Sequence, residues 1–314
     1  MFDTRNTHAA CGLRPAGHVA ARPWTSGPEC PERTRTVREE TAVKRLRIIP
    51  IIVLLLASVT LAQQPAQPDM YLQLTYFKVA PENEEAYRTT LTTVSTKFYQ
   101  ELMNVNPRLM HWSSAMTWYP GPDGPDYNFV GATIYSGPPP EPGANLEDVF
   151  RKATGMPQAD YQKKLQSLRT VVGSELMVRV TGTAIGNTKV GDFRVATQIK
   201  HKPGMAGEHH EHARTQTLPI WQERVATGEV NGWSLWSRVF PWGNQSGYHD
   251  LGVVRFKDLA GAVKGPDASK TAAIFAKVHP DKNYAAYINN GLDYSEPVMR
   301  QLTRVIAVVE RAPR

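Results

Sequence analysis

From residue 71 the chain alternates. In YLQLTYFKV, Leu72, Leu74 and Tyr76 stand against Gln73 and Thr75, the period-two pattern of a strand with one buried face. Pro81 then opens a stretch in which Tyr87, Leu91, Val94, Phe98 and Leu102 recur at three- and four-residue spacing, which predicts an amphipathic helix. A hairpin follows, from Trp112 to Tyr119 and from Tyr127 to Tyr135, around the turn sequence PGPDGPD. Beyond the Pro/Gly-rich SGPPPEPGAN come helical pieces around 146–152 and 157–171, then a closing strand, ELMVRVTGTAI. The succession then returns, with a strand at 193–201, a helix at 205–226, a hairpin at 233–256, a helix near 281–291 and a strand at 299–309.

The return extends to residue identities. At a constant offset of 121, Trp112 meets Trp233, Ser113 meets Ser234, Pro120 meets Pro241, Tyr127 meets Tyr248 and Gly131 meets Gly252. Upstream the offset is 122, pairing Lys78 with Lys200, Pro81 with Pro203, and Gln100-Glu101 with Gln222-Glu223. One residue gained or lost between helix and strand accounts for the change. A repeat of this length decides the fold, because each unit leaves an apolar face that its neighbour must cover.

The expected fold class is α+β. Each copy reads βαββαβ, the ferredoxin-like order, with helices on one face of an antiparallel sheet. Two such units, 70–188 and 189–314, can bury their free faces against each other as a pseudo-dimeric α/β barrel within one chain. In this order of elements and this W-S…P…Y…G duplication the chain resembles the dimeric α/β-barrel superfamily, in its tandem-repeat form. The resemblance implies relatives that include cofactor-free monooxygenases, haem-handling proteins, dye-decolourising peroxidases and small-molecule binding or degradation proteins. It does not choose among them.

The segment before the repeat has another character. VKRLRIIPIIVLLLASVTLAQQ joins basic Lys44, Arg45 and Arg47 to an apolar run from Ile48 to Leu61 and small residues before Gln63, the layout of a secretory signal. The run is too short and wrongly flanked for a membrane span. Residues 43–62 are therefore expected to be a signal peptide cleaved after Ala62, residues 1–42 a non-native or disordered leader, and 63–69 a linker. Both cysteines, Cys11 and Cys30, fall in the removed part, so an exported mature chain would have no disulfide and depend on its core. Removal also takes away nine basic and five acidic residues, reducing the net charge from +7 to +3 and leaving no basic run suited to nucleic acid.

The histidines of KPGMAGEHHEHARTQTLPIWQERV are oriented by the repeat. At offset 122 the stripe Tyr87, Leu91, Val94, Phe98, Leu102 becomes His209, Ala213, Gln216, Ile220, Arg224, smaller and more polar. That change predicts a polar-lined ligand pocket between the helix and sheet of the second unit. His212 shares the face of His209, while His210, about 100° round the helix, is expected in solvent. His209 and His212 are the candidate catalytic residues, as general base or hydrogen-bond donor. Trp236, Arg238, Gln216 and His249 are the candidate ligand contacts. A metal, if held, would take His209, His212 and Glu208, with His249 or His201 as other third ligands. The pattern requires no cofactor. Haem would need an axial histidine beside an apolar slot, for which His279 is as eligible as His209, and no CxxCH motif is present.

The tryptophans divide by face. Trp112 and Trp233, repeated, read as packing residues, whereas Trp236 has Ala115 as its counterpart and is free to stack on an aromatic ligand. Arg238, on the face of Trp236, would meet a ligand carboxylate or else lie at the surface. Tyr127 and Tyr248 are expected to fix their hairpins through their hydroxyls. Asn244-Gln245-Ser246 matches the glycosylation pattern. No nucleophile elbow, Walker or dinucleotide motif appears in a usable context. Two function classes remain: an enzyme acting on a small aromatic molecule, and a non-catalytic binding or stress module. A small-molecule ligand and further self-association are the expected partners.

Overall fold

The computed structural model describes residues 69–119, 124–141, 146–241, 243 and 247–311. The expected leader, signal peptide and cleavage site, nearly all of the linker, Trp242 and the Asn244-Gln245-Ser246 pattern lie outside the described residues.

Eight strands close into one antiparallel barrel. They are β1 (Met70–Lys78), β2 (Leu109–Trp118), β3 (Phe129–Ser136), β4 (Thr170–Gly182), β5 (Phe193–His201), β6 (Gly232–Phe240), β7 (Asp250–Phe256) and β8 (Ser295–Glu310), in the order β1-β3-β2-β8-β5-β7-β6-β4. β4, β1, β3 and β2 are therefore neighbours in one half, and β8, β5, β7 and β6 in the other. The seams are β2 against β8, with Trp112 opposite Val309, and β4 against β6, with Val178 opposite Ser237. Closure removes the free edges that an open sheet would expose.

Alternation along the strands builds two layers. Leu72 and Leu74 of β1 pack inside the barrel with Ile134, Met177, Trp236 and Leu251. Phe77 faces outward, into a core shared with α1 (Glu84–Thr90), α2 (Thr96–Val105), α3 (Glu147–Thr154) and α4 (Gln158–Leu168). There Phe98 of α2 stacks on Phe150 of α3 at 3.9 Å between ring centres. Each fully buried phenylalanine of this kind contributes roughly 1.5–3 kcal/mol. Outside the second half lie α5 (Ala206–His212), α6 (Leu218–Ala226), α7 (Leu259–Lys264), α8 (Ala268–Val278) and α9 (Tyr284–Tyr294). No helix among the described residues is long and apolar enough to cross a membrane.

The differences from the sequence pattern are local. The long helix of each half is interrupted by a π-turn, Leu91–Ser95 in the first and Ala213–Thr217 in the second. β4 begins at Thr170 and β8 at Ser295, earlier than the pattern places them. Helix α7 goes unassigned by periodicity because it has six residues and α8 because it has one fully buried side chain, yet each starts at an aspartate cap: Asp258 accepts from the Gly261 N–H and Asp267 from the Ser269 N–H.

Candidate functional site

A cavity of about 110 Å³ lies inside the barrel, walled by Leu72, Leu74, Ile134, Leu251, Val253 and Trp236. Among the polar side chains that break that wall, three carry ionisable groups with nitrogen: His111 of β2, Arg194 of β5 and Arg255 of β7. The His111 ring is locked. Its Nδ1 lies 2.8 Å from Glu310 Oε1, its Nε2 2.8 Å from Ser113 Oγ and 3.4 Å from Arg194 Nη2. A guanidinium only donates, so Nε2 must accept, and the single ring proton sits on Nδ1 and is donated to Glu310. The imidazole is neutral. Burial pushes its pKa down to about 4, against the hydrogen bond to Glu310 and with the help of the Arg194 charge.

The arginines are placed by the neighbouring backbone. Arg194 Nη1 donates to Ser113 Oγ at 2.9 Å. Arg255 donates to the carbonyls of Ala184 and Gly186 and to Thr188 Oγ1, all in the segment joining the two halves. A methyl group on Gly232 would collide with the Arg255 guanidinium, so this position is glycine because the arginine crosses over it. Arg179 of β4 donates to the Thr183 carbonyl, and its Nε is buried without a partner. Among the described residues none of these three arginines forms an ion pair. The carboxylates whose charges act on Arg194 and Arg255 are Glu310 and Asp192. Burial lowers the pKa of all three arginines, that of Arg194 to about 10, so all stay charged at neutral pH. Arg194 and Arg255 share the field of these two carboxylates without touching either, and Arg179 lies outside the cavity lining.

A second polar group sits on the outside of the second half, where α5 meets the ends of β5 and β7. Asp250, fully buried, is approached by three imidazoles: its Oδ2 is 2.8 Å from His201 Nε2, 2.9 Å from His210 Nε2 and 3.6 Å from His209 Nε2. His209 Nδ1 lies 3.1 Å from Ser295 Oγ, while His209 Nε2 and Asp250 Oδ1 are buried without hydrogen-bond partners. His249 Nδ1 accepts from the His201 backbone N–H at 2.9 Å, and the two rings stack at 5.1 Å. Burial lowers the His209 pKa to about 4, against the Asp250 charge. The Asp250 carboxyl is held well below the usual range: burial alone would raise it, and hydrogen bonds from His201 and His210 overcome that.

Several expectations need correction. His209 and His212 part company: His212 is buried against α9, stacked on Tyr287 at 4.9 Å, with its Nδ1 unpartnered. Glu208 is exposed, so the set His209, His212, Glu208 does not assemble. His210 is not free in solvent but bonded to Asp250, because the first turn of α5 presents adjacent residues to either side of that carboxylate. Arg238 is neither at the surface nor free for a ligand; it is buried, 2.9 Å from Glu175 Oε1 and stacked over Tyr248 at 4.2 Å. Tyr127 and Tyr248 reach other strands instead of bracing their own hairpins, donating to Gln301 and Glu175. Gln216 is half-buried, its carbonyl accepting from His279 Nε2 at 2.9 Å. The gap expected above the second half's sheet is filled: Trp221 of α6 stacks parallel to Trp233 at 5.8 Å, with Ala213, Leu218 and Leu235 packed around them. A helix–sheet cavity of about 210 Å³ lies in the first half, between Tyr87, Ser95, Trp112 and Arg169. Trp236 lies where its face predicts, lining the barrel cavity with its Nε1 donating to Ser234 Oγ at 2.8 Å.

Haem does not fit the barrel cavity, His111 or His279. The cavity of about 110 Å³ is below even the roughly 300–1,000 Å³ of drug-sized pockets. Both nitrogens of His111 are engaged, and the Nε2 of His279 is committed to the Gln216 carbonyl. Sequence reasoning missed His111, Arg194, Arg255 and Asp250. For Asp250 a signal exists: at offset 121 it replaces Phe129, a charge exchanged for an aromatic ring at the start of an apolar strand.

No family model and no curated protein matches the chain. Among solved structures, a candidate monooxygenase from Fusobacterium nucleatum subsp. nucleatum ATCC 25586 is 14% identical, with 77% of this chain and 94% of that one covered and a TM-score of 0.49. A candidate monooxygenase from Lactobacillus acidophilus NCFM is 8% identical, covering 77% and 96%, with a TM-score of 0.47. A haem-binding protein from Thermus thermophilus is 8% identical, covering 75% and 90%, with a TM-score of 0.40. Likeness at this level assigns no residue of this chain a role.

Proposed function

We propose that this chain is an exported small-molecule-binding protein, built from two fused ferredoxin-like units in the manner of the dimeric α/β-barrel superfamily, whose barrel cavity takes a small organic monoanion with an apolar body. Fusion is supported by the shared strand orders, β4-β1-β3-β2 and β8-β5-β7-β6. It is supported again by the π-turns at Leu91–Ser95 and Ala213–Thr217, one repeat apart. Export is supported by the signal-like residues 43–62.

The observation that carries the ligand class is a pair of guanidinium groups in an apolar wall. Arg194 and Arg255 line the cavity, and among the described residues neither is in an ion pair, although a partly buried cation gains from a close anion. A ligand carboxylate would accept from both, while Trp236 and Leu251 take its apolar part. His111 holds no mobile proton between neutral pH and about pH 4 and serves to orient Arg194 and Ser113. Binding, not proton transfer, is the chemistry these groups support.

The test is calorimetric titration of the full mature chain with benzoate, benzamide and benzyl alcohol, for wild type and Arg194→Gln. Benzoate is expected to bind one per chain and the neutral analogues at least tenfold more weakly. The variant should lose about 10- to 100-fold in benzoate affinity, the range of a charge-assisted hydrogen bond. Equal affinity for acid and amide, or unchanged benzoate binding in the variant, would remove the anion reading.

A further inference from the structure

The two halves share one backbone frame around α5 and its counterpart but fill it differently. In the first half Phe77 of β1 pairs with Phe129 of β3; in the second, Ile199 of β5 pairs with Asp250 of β7. Asn128 Oδ1 accepts from the Val79 N–H at 2.8 Å, and His249 Nδ1 accepts from the His201 N–H at 2.9 Å. Val79, Tyr87 and Phe129 therefore occupy the places of His201, His209 and Asp250. The first set is a mainly apolar cluster in which Tyr87 meets Phe129 edge-on at 5.0 Å and its hydroxyl accepts from Arg169 Nη1 at 2.6 Å, with no carboxylate among the three. The same frame is thus stable with ordinary core residues.

Placing a carboxylate and two imidazoles there costs desolvation that apolar side chains avoid. Hydrogen bonding within the group offsets that cost incompletely: His209 Nε2 and Asp250 Oδ1 are buried and unpartnered. Both atoms are metal donors. His201, His209 and Asp250 offer one ligand atom each, all within 4.8 Å of one another. Measured to Asp250 Oδ2, the other oxygen of that carboxylate, two of the separations, 2.8 Å for His201 and 3.6 Å for His209, bracket the roughly 3.3 Å between ligands of a tetrahedral ion with 2.0–2.1 Å bonds.

From this geometry we propose that His201, His209 and Asp250 bind one divalent first-row transition ion. Three ligands leave at least one position for water or a substrate atom. The groups behind them are those a metal site uses. Ser295 Oγ lies 3.1 Å from His209 Nδ1, placed to accept a proton held there when the Nε2 lone pair ligates the ion. His210 Nε2 donates to Asp250 Oδ2 and orients that carboxylate. His249 pins the backbone of His201. His212, turned toward α9, takes no part. Two imidazoles and one carboxylate suit zinc, cobalt, nickel or ferrous iron and disfavour calcium and magnesium, which prefer all-oxygen sites. The site lies on the outer face of the sheet and does not depend on the barrel cavity.

The test uses full-length mature protein without a histidine tag, stripped with chelator and dialysed, and titrated calorimetrically with Zn2+ and spectroscopically with Co2+. One ion per chain is expected, with Co2+ giving the intense visible bands of a four- or five-coordinate site. His209→Gln should weaken Zn2+ at least 100-fold, and His210→Ala about tenfold, as loss of an orienting partner does. His212→Ala should bind as wild type. Asp250→Asn should abolish stoichiometric binding; if it unfolds, His209→Gln, half-buried and checked by circular dichroism, decides. Absence of stoichiometric Zn2+ binding at 1 mM, or equal affinity in wild type and His209→Gln, overturns the proposal.

Discussion

Acid should destabilise this protein in a pH window to which His111 and His209 contribute alike, and the share of His111 can be isolated. His111 has its Nδ1 proton on Glu310 and its Nε2 facing Ser113 and the Arg194 guanidinium. An added proton would place an N–H against a cation. The folded-state pKa accordingly falls from 6.5 to about 4, with burial the largest cause. The unfolded chain takes up a proton near pH 6.5, whereas the folded chain resists until about pH 4. Unfolding therefore binds a proton between those values, and stability falls as the pH falls. From pH 8 to pH 4.5 the loss from this residue amounts to about 2.5 kcal/mol. The assay is urea unfolding by tryptophan fluorescence at several pH values in that range, for wild type and His111→Gln. Glutamine keeps a donor for Glu310 and has no ionisable proton. His209, whose pKa is also lowered to about 4, adds a loss common to both proteins that cancels in the difference. Glu310, with its pKa lowered, contributes stability lost only below the ordinary carboxylate range, outside the window. The variant is expected to lose about 2.5 kcal/mol less than wild type across the window. Parallel curves would refute both the neutral tautomer and the locked ring.

Other consequences follow from single contacts. Glu175→Gln leaves the Arg238 guanidinium buried without its carboxylate and should destabilise by about 3–5 kcal/mol in denaturant unfolding, with Arg238→Met restoring much of the loss in the double variant. Trp236→Ala empties one wall of the barrel and should cost about 3–5 kcal/mol by the same measurement. Gly232→Ala pushes Arg255 from its place over β6, so calorimetry should show benzoate affinity reduced about tenfold with the fold retained by circular dichroism. N-terminal sequencing of chain recovered outside the cytoplasm of an expressing bacterium should begin at Gln63; an unprocessed chain confined to the cytoplasm would end the export reading.

The eight strands were legible because apolar runs bounded by turn residues mark them in the chain, in the βαββαβ order expected of each half. The helices α7 and α8 were not, since a helix of six residues and one with a single fully buried side chain carry no apolar stripe to read. The histidine cluster was half legible. The expected repeat set His209 facing the sheet, and in the structure its ring lies 3.6 Å from Asp250 of β7; helical spacing linked it to His212, from which it parts. Spacing within a helix says which residues share a face, not which face meets a buried aspartate on another element. His201 and Asp250 lie at the ends of two strands, and only the barrel register brings them to the head of α5. Arg194 and Arg255 were invisible for a related reason. Each stands on a strand among polar and apolar neighbours, and nothing in the sequence says that its side chain points into the barrel.

The comparison between halves also separates what the frame requires from what it tolerates. Val79, Tyr87 and Phe129 show that apolar packing suffices at the head of the helix. Trp112 with Tyr99 and Trp233 with Trp221 show aromatic stacking kept under both helices, at 4.2 and 5.8 Å. Selection for stability alone would leave both heads apolar, since a buried Asp–His group is at best neutral against well-packed hydrophobic residues. The second half carries three imidazoles around a carboxylate there, and leaves one nitrogen and one oxygen unsatisfied. Polar residues at a position where the chain itself demonstrates an apolar solution point to a ligand. The same reasoning applies inside the barrel, where Arg194 and Arg255 stand in an apolar wall with no ion-pair partner among the described residues. In both places the excess of unmet polar groups, more than the shape of any cavity, locates the chemistry.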